Sequence, residues 1–372
     1  MSTSWSTERS ARVTWARIGE PGDLEVAALI EEFGPVEALD QVTSGKATRL
    51  HARLAPRLEQ ASGIADEAIA ERLVASIVIP GDRAWPAGLD DLPAPPHCLW
   101  LRGEARADLA TLCRRSVAIV GARAATAYGL DRAMDLAAEV SGRRFTVLSG
   151  AALGIDGAAH RGALAVGAPT VAVLACGIDR VYPRAHEALL REIATTGVIV
   201  SELPPGAAPY RQRFLQRNRL IAAMTCGTVV IEAALRSGSL ATAGVANGLG
   251  RPVGALPGPV TSMASAGCHQ AIRDQLAFLV TDGADVIDLI GTIGVDAAPE
   301  RRDPARPEDA LTPAQHAVWQ VLPIGRPKGI ETLAQLAGLD PLSVQAALGP
   351  LELAGLARRT GADWSRSSCV AS

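Results

Sequence analysis

Short apolar runs alternate with stretches of helical spacing through the middle of this chain, and that alternation leaves few folds open. The runs are SVAIVGAR (116–123), FTVLSGAA (145–152), PTVAVLACG (169–177), GVIVSEL (197–203), GTVVIEAA (227–234) and RPVGALPG (251–258). Segments such as YGLDRAMDLAAEVSGR and DGAAHRGALAVG lie between them. A strand exposed on one face alternates apolar with polar residues. A continuous apolar run is covered on both faces, and strands joined through helices run parallel. The pattern predicts an α/β fold, a doubly wound Rossmann-like parallel sheet over residues 75–290.

The flanks read differently. Residues 1–74 predict a small N-terminal helical domain behind a polar tail, on GDLEVAALIEEFG and ADEAIAERLVA. Residues 291–310 are rich in Pro, Ala and charge, with little to bury, and read as a linker. Over 311–366 the expected order is three helices and then a wing hairpin, LARRTGADW, the order of a winged helix. Thr312 caps the first helix, with Pro313 at its first position and Gln315 closing a capping box. Asp340-Pro341 starts the third helix in the same way. That helix, PLSVQAALGPLELAG, has no Lys or Arg, and Gly349-Pro350 predicts a kink in it. Duplex sequence reading is therefore not expected of this module, only a protein contact or a weak DNA contact through Arg358 and Arg359.

Composition narrows the function. No apolar run reaches 18 residues and the first residues lack a signal-peptide core, so a cytoplasmic protein with no membrane association is expected. The six cysteines are scattered, with no C-x-x-C pair, and read as buried thiols and not as metal ligands. Neither G-x-G-x-x-G nor G-x-x-x-x-G-K-[ST] occurs, so no nucleotide cofactor is expected. The net charge is -3, so an anion site has to come from local clustering.

Such a cluster exists. PYRQRFLQRNRLIAAM (209–224) places Arg211, Arg213, Arg217 and Arg219 within nine residues, and no carboxylate lies between Glu202 and Glu232. Ligands of open parallel sheets sit beyond the carboxyl ends of the strands. Small-residue turns there lead into helix N-termini, whose amides favour anions. The candidate phosphate loops are Gly121, Ser149-Gly150, and Ser237, Gly238, Ser239 with Thr242. Together with the arginines they form an expected phosphate-binding rim. His160, Asp156 and Glu202 read as packing, capping or orienting groups, since no nucleophile accompanies them.

In order, VGAR-x4-YG, SGAALGID-x3-H, G-x4-YP, SE-x-PPG, RNRLIA, VVIEA-x3-SGSLATA and GRPVGALPG make the chain resemble the DprA (Smf) family of DNA-processing proteins over 75–290. The resemblance implies a non-enzymatic protein that binds single-stranded DNA, loads the RecA recombinase onto it, serves natural transformation and acts as a homodimer. Carried onto this chain, the DNA pocket matches Arg123, Arg184, Arg211, Arg213, Phe214, Arg217, Asn218 and Arg219. Guanidinium groups follow phosphates, and Phe214 is available to stack on a base with little base preference.

The chain departs from the family pattern in places. Leu215 stands where members usually have proline. In AGCHQAIRDQLAF (266–278), His269 replaces an asparagine and Gln275-Leu276 replaces Gly-Ala. The resemblance puts the dimer edge there, with Ile272, Leu276, Phe278 and Leu279 as its apolar residues. The alternatives are a small-nucleotide binder or a nucleotide N-glycoside hydrolase resembling the LOG family. The loop SGSLATAG lacks the paired glycines of that family and its glutamate.

Overall fold

The computed structural model describes residues 7–58, 61, 63–296 and 307–367. The expected polar tail (1–6) and most of the expected linker (297–306) lie outside the described residues. The chain forms two compact units, residues 1–298 and 299–372.

The first unit begins with four helices, α1 (Glu8–Ile18), α2 (Leu24–Thr43), α3 (Thr48–Leu58) and α4 (Gly63–Arg72). Thr7 and Ser10 form a capping box at the start of α1. Gly34, at φ 76, turns the chain inside α2 ahead of Pro35, whose carbonyl accepts from Trp15 Nε1 at 2.9 Å. Trp15, Ile18, Leu39 and Val42 make a separate small core.

Nine strands follow: β1 (Ser76–Val78), β2 (Leu99–Arg102), β3 (Ser116–Val120), β4 (Thr146–Ser149), β5 (Thr170–Leu174), β6 (Val198–Ser201), β7 (Gly227–Val230), β8 (Val253–Ala255) and β9 (Phe278–Leu279). They form one sheet in the order β1-β2-β6-β5-β4-β3-β7-β8-β9. β3 to β9 pair in parallel. β2 joins β6 antiparallel, and β1 joins β2 antiparallel. The six apolar runs are β3 to β8. The other three strands have two to four residues each. They lie outside 116–258, where apolar runs alternate with helical spacing, and a proline-rich stretch separates β1 from β2.

The connecting helices are α5 (Leu109–Arg114), α6 (Ala127–Gly142), α7 (Ile155–Ala165), α8 (Glu187–Thr196), α9 (Arg211–Ala223), α10 (Gly238–Gly248), α11 (Ala266–Arg273) and α12 (Gly283–Ile290). β3 shows why its run is apolar throughout. Ala118 and Val120 pack with Leu220 and Ile221 of α9 and with Ala243 and Ala246 of α10. Val117 and Ile119, on the other face, pack with Leu136 and Val140 of α6 and with Ala159 and Ala163 of α7. The chain steps from β3 through β4 and β5 to β6, then returns to place β7 on the other side of β3. A crevice opens where the winding reverses, beyond the carboxyl ends of β3 and its neighbours.

The second unit holds α13 (Pro313–Val321), α14 (Ile330–Ala337), α15 (Pro341–Leu353) and the hairpin β10 (Ala357–Thr360)–β11 (Asp363–Arg366). Val318, Leu333, Leu348 and Trp364 form its own core. Thr312 and Gln315 make the expected capping box, and Asp340 caps α15. α15 continues through Gly349-Pro350 to Leu353, where the sequence predicts a kink. Pro350 lies in the last turn and removes only one backbone bond there. Cys98, Cys113, Cys176 and Cys268 are buried free thiols and Cys226 is half-buried, while Cys369 lies outside the described residues. No helix among the described residues is long and apolar enough to cross a membrane.

His160 of α7 is wholly buried beneath this sheet. The Thr170 hydroxyl donates to the Val147 carbonyl at 2.7 Å, so His160 Nδ1, 2.8 Å from that hydroxyl oxygen, is the donor of their bond. Nε2 is buried with no partner. Burial, then the neighbouring His186, pulls the imidazole pKa from 6.5 down to about 3. The unfolded chain takes up this proton first as the pH falls through 6.5. The neutral imidazole therefore contributes stability above that pH, and the contribution is lost progressively toward pH 3. Urea denaturation between pH 6.5 and 5 is expected to show stability falling with acid. His160→Gln is expected to flatten that slope by up to one proton, and an unchanged slope would place the titration elsewhere.

Candidate nucleic-acid interface

The crevice is a groove of about 760 Å3. Its walls are the loops after β3 and β7, part of the loop after β4, and one face of α9. Arg211, Phe214, Leu215 and Asn218 supply that face, at the i, i+3, i+4, i+7 spacing of one side of a helix. Arg211 is exposed, as are Arg123 on the β3 loop and Arg236 on the β7 loop, and all three line the groove. The Arg123 guanidinium lies over the Phe214 ring, 4.6 Å from its centre. Tyr182 stands beside the same ring, 5.5 Å away and tilted by 52°. Arginine, phenylalanine and tyrosine thus form one continuous ridge, held by cation–π and edge-type aromatic attraction.

The far wall is the start of α10. Ser237 caps it, accepting from the Ser239 amide at 3.1 Å, and Ser237 and Ser239 share a hydroxyl bond. Thr242 donates to the Gly238 carbonyl at 3.4 Å. Asn218 joins the two helices, with its Nδ2 donating to that carbonyl at 3.3 Å. The positive end of α10 therefore faces the same space as the exposed arginines, which suits an anion.

The arginine cluster does not act as one surface. Arg217 is buried, and its Nη1 donates to the Gly150 carbonyl at 2.6 Å and to the Val173 carbonyl. Burial lowers its pKa to about 10, against the pull of neighbouring Asp156. Burial likewise raises the Asp156 carboxyl above its ordinary range, opposed by Arg217 and by the amides of Ala152 and Gly150. Arg219 is buried in an ion pair with Glu202 and donates to the Ala94 carbonyl at 2.9 Å. Arg213 reaches Glu20 of the helical domain at 3.2 Å and the Ala208 carbonyl at 2.9 Å. Glu20 also pairs with Arg57 of α3, at 3.0 Å.

The expected residues therefore divide. Gly121, Arg123, Arg211, Phe214 and Asn218 share the groove with the serines and threonine of α10, and part of Arg217 shows in its floor. Arg213 and Arg219, expected to face phosphate, turn into the protein. Ser149 is buried and donates to the Ile119 carbonyl at 2.6 Å. Gly150 is buried too, its amide donating to Asp156 at 3.1 Å. Arg184 is exposed just past the cis Tyr182–Pro183 peptide but is no part of the groove wall. At the opposite sheet edge, Ile272 and Leu276 are partly packed into the core, whereas Phe278 and Leu279 of β9 stand 65% and 54% exposed.

Tyr182, Arg236 and Glu232 are site residues that sequence reasoning passed over. Tyr182 lies in the G-x4-YP motif and Arg236 just before SGS, so both had a signal. Glu232 had a weaker one. Buried at the end of the β7 run, it accepts from the Thr126 amide at 2.9 Å and hydroxyl at 2.6 Å, fixing the loop that carries Arg123.

Residues 76–291 match the DNA recombination-mediator protein A family, and residues 302–362 match the DprA winged helix domain. A DprA protein of Mycobacterium tuberculosis is 44% identical over 94% of this chain and 93% of its own length. Among solved structures, DNA processing protein A of Streptococcus pneumoniae is similar at TM-score 0.64 and 30% identity, over 76% of this chain and 96% of that one. The DNA processing protein A of Helicobacter pylori, solved for its single-stranded DNA binding mode, is similar at TM-score 0.51 and 29% identity, over 57% of this chain and 94% of that one.

The division among the arginines is measurable by stability alone. Arg219→Ala strands the buried Glu202 carboxylate and is expected to cost about 3–5 kcal/mol. Arg211→Ala is expected to stay within about 0.5 kcal/mol of the parent. Urea denaturation at pH 7 reads both, and equal losses would refute the division.

Proposed function

The chain belongs to the DNA recombination-mediator protein A (DprA) family, and from that premise we propose that it binds single-stranded DNA along this groove and loads the RecA recombinase onto it. One observation carries the reading. On a chain of net charge -3, three exposed arginines and an aromatic ridge share a single groove with a helix N-terminus. Arg123, Arg211 and Arg236 take backbone phosphates. The ridge stacks on bases, and stacking tolerates any sequence because every base has a π-face.

The activity is binding without catalysis. Asp156 lines the groove, Glu202 and Glu232 follow the β6 and β7 strands, and each is committed to amides, a hydroxyl or a guanidinium of the protein itself. None is left as a general base, which argues against the hydrolase alternative. The protein works in the cytoplasm as a homodimer, in natural transformation. The support for a dimer is β9, a two-residue edge strand presenting Phe278 and Leu279 with an unpaired ladder beside it. The winged helix adds a protein contact or a weak DNA contact through the exposed Arg358 and Arg359 of its hairpin.

Fluorescence anisotropy of a labelled oligo-dT across a salt series tests the groove. Arg123→Ala and Arg211→Ala are each expected to weaken binding and to flatten the log–log salt slope by about 0.7, one phosphate contact apiece. Phe214→Ala is expected to cost about 1–3 kcal/mol with the slope unchanged. A double arginine variant that binds like the parent would move the DNA to another surface.

A further inference from the structure

The turn that carries Arg123 is pinned on both sides of that residue. Ahead of it, the Ala122 carbonyl accepts from the Ile155 amide at 3.2 Å. Behind it, Thr126 donates its amide to Glu232 at 2.9 Å and its hydroxyl at 2.6 Å. Only Arg123, Ala124 and Ala125 lie between the two anchors. Glu232 is 1% exposed. Gly129, in the first turn of α6, makes room for it, because a Cβ there would overlap its carboxylate.

Thr126 is the N-cap of α6, so Glu232 lies at the positive end of that helix. In an open parallel sheet, a helix N-terminus of this kind is a common seat for the phosphate of a ligand. In this chain a carboxylate of the protein fills the seat. Both of its oxygens accept, one from the amide and one from the hydroxyl, as suits a group with acceptors only. What the turn then offers a ligand is the side chain of Arg123, exposed on the groove with its guanidinium 4.6 Å over Phe214. An arginine held in place beforehand loses less freedom on binding than one on a loose turn.

We infer that Glu232 is a positioning residue for strand binding: its carboxylate takes the place of an anion at the start of α6 and, through Thr126, holds Arg123 on the groove. The inference rests on the single-strand reading above and assigns part of the affinity to a buried side chain that is no part of the groove wall.

The test is a double-mutant cycle of Glu232→Gln and Arg123→Ala, read by anisotropy of a labelled oligo-dT across a salt series. Glutamine keeps the volume of glutamate but has one acceptor oxygen and a donating amino group, so Thr126 keeps only one of its two bonds. Glu232→Gln is expected to weaken binding about fivefold at about 0.1 M salt and to flatten the log–log salt slope by about 0.7, the worth of one phosphate contact. In the Arg123→Ala background the same substitution is expected to change affinity by less than about twofold. Losses that multiply would overturn the inference, since Glu232 would then act by a route other than Arg123. Parent-like binding by Glu232→Gln would overturn it too, and both results leave the groove standing. Parent-like binding by Arg123→Ala would instead remove Arg123 from the single-strand reading, and the inference with it. Thr126→Ala is the second arm, should Glu232→Gln fail to fold. It removes one of the two donors and is expected to give a smaller loss that again vanishes without Arg123, and a loss that persists there would overturn the inference. Thr126→Ser keeps both donors and is expected to bind with the affinity and salt slope of the parent.

Discussion

A single buried guanidinium organises the site. Arg217 reaches from α9 to the carbonyls that end β4 and β5, with Asp156 as its charge partner nearby. A cation this deep is costly unless its donors are met, and here Nη1 donates to the two carbonyls and Nε to the Asn218 side chain at 3.2 Å, with the charge of Asp156 nearby. The arrangement needs the planar fork of arginine, which a lysine ammonium does not reproduce. It also needs a glycine at position 150, because a Cβ there would overlap the guanidinium. Once Arg217 is anchored, the register of α9 over the sheet is set. Phe214 and Asn218, three residues before it and one after, then take their places on the groove.

The same device recurs around the crevice. Glu202 at the end of β6 holds Arg219, and Glu232 beyond β7 holds the turn that leads to α6. Each strand end thus carries a buried polar group that fixes a loop or helix against it. Charge near the site plays two parts. One set of ionic groups is satisfied inside the protein and gives the walls their rigidity. The other set, Arg123, Arg211 and Arg236, stays in solvent and is available to a ligand.

The sheet was legible because β3 to β8 are covered on both faces, which leaves unbroken apolar runs. Its margins were not. β1, β2 and β9 lie outside the alternating stretch 116–258, and the antiparallel pairing of β2 with β6 depends on partners far along the chain. The arginine stretch was legible as a cluster but not as two classes, since a count of charge carries no direction. Helical spacing held part of the answer. Arg211, Phe214, Leu215 and Asn218 fall on one side of α9, whereas Arg213, Arg217 and Arg219 fall off it. What spacing could not supply was the identity of the inward partners, Glu20, Gly150 and Glu202, which lie up to 193 residues away in the chain. The Gly-to-Gln departure noted at position 275 has a physical side as well. Gln275 sits at φ 58, a backbone region that glycine occupies without strain and glutamine does not.

The guanidinium of Arg123 resting on Phe214 covers one face of that ring. A bare aromatic ring in a shallow groove invites nonspecific adhesion to any passing apolar surface. The ring here carries a guanidinium as a charged cap. One side chain thus shields the ring and keeps a charge at the rim of the groove.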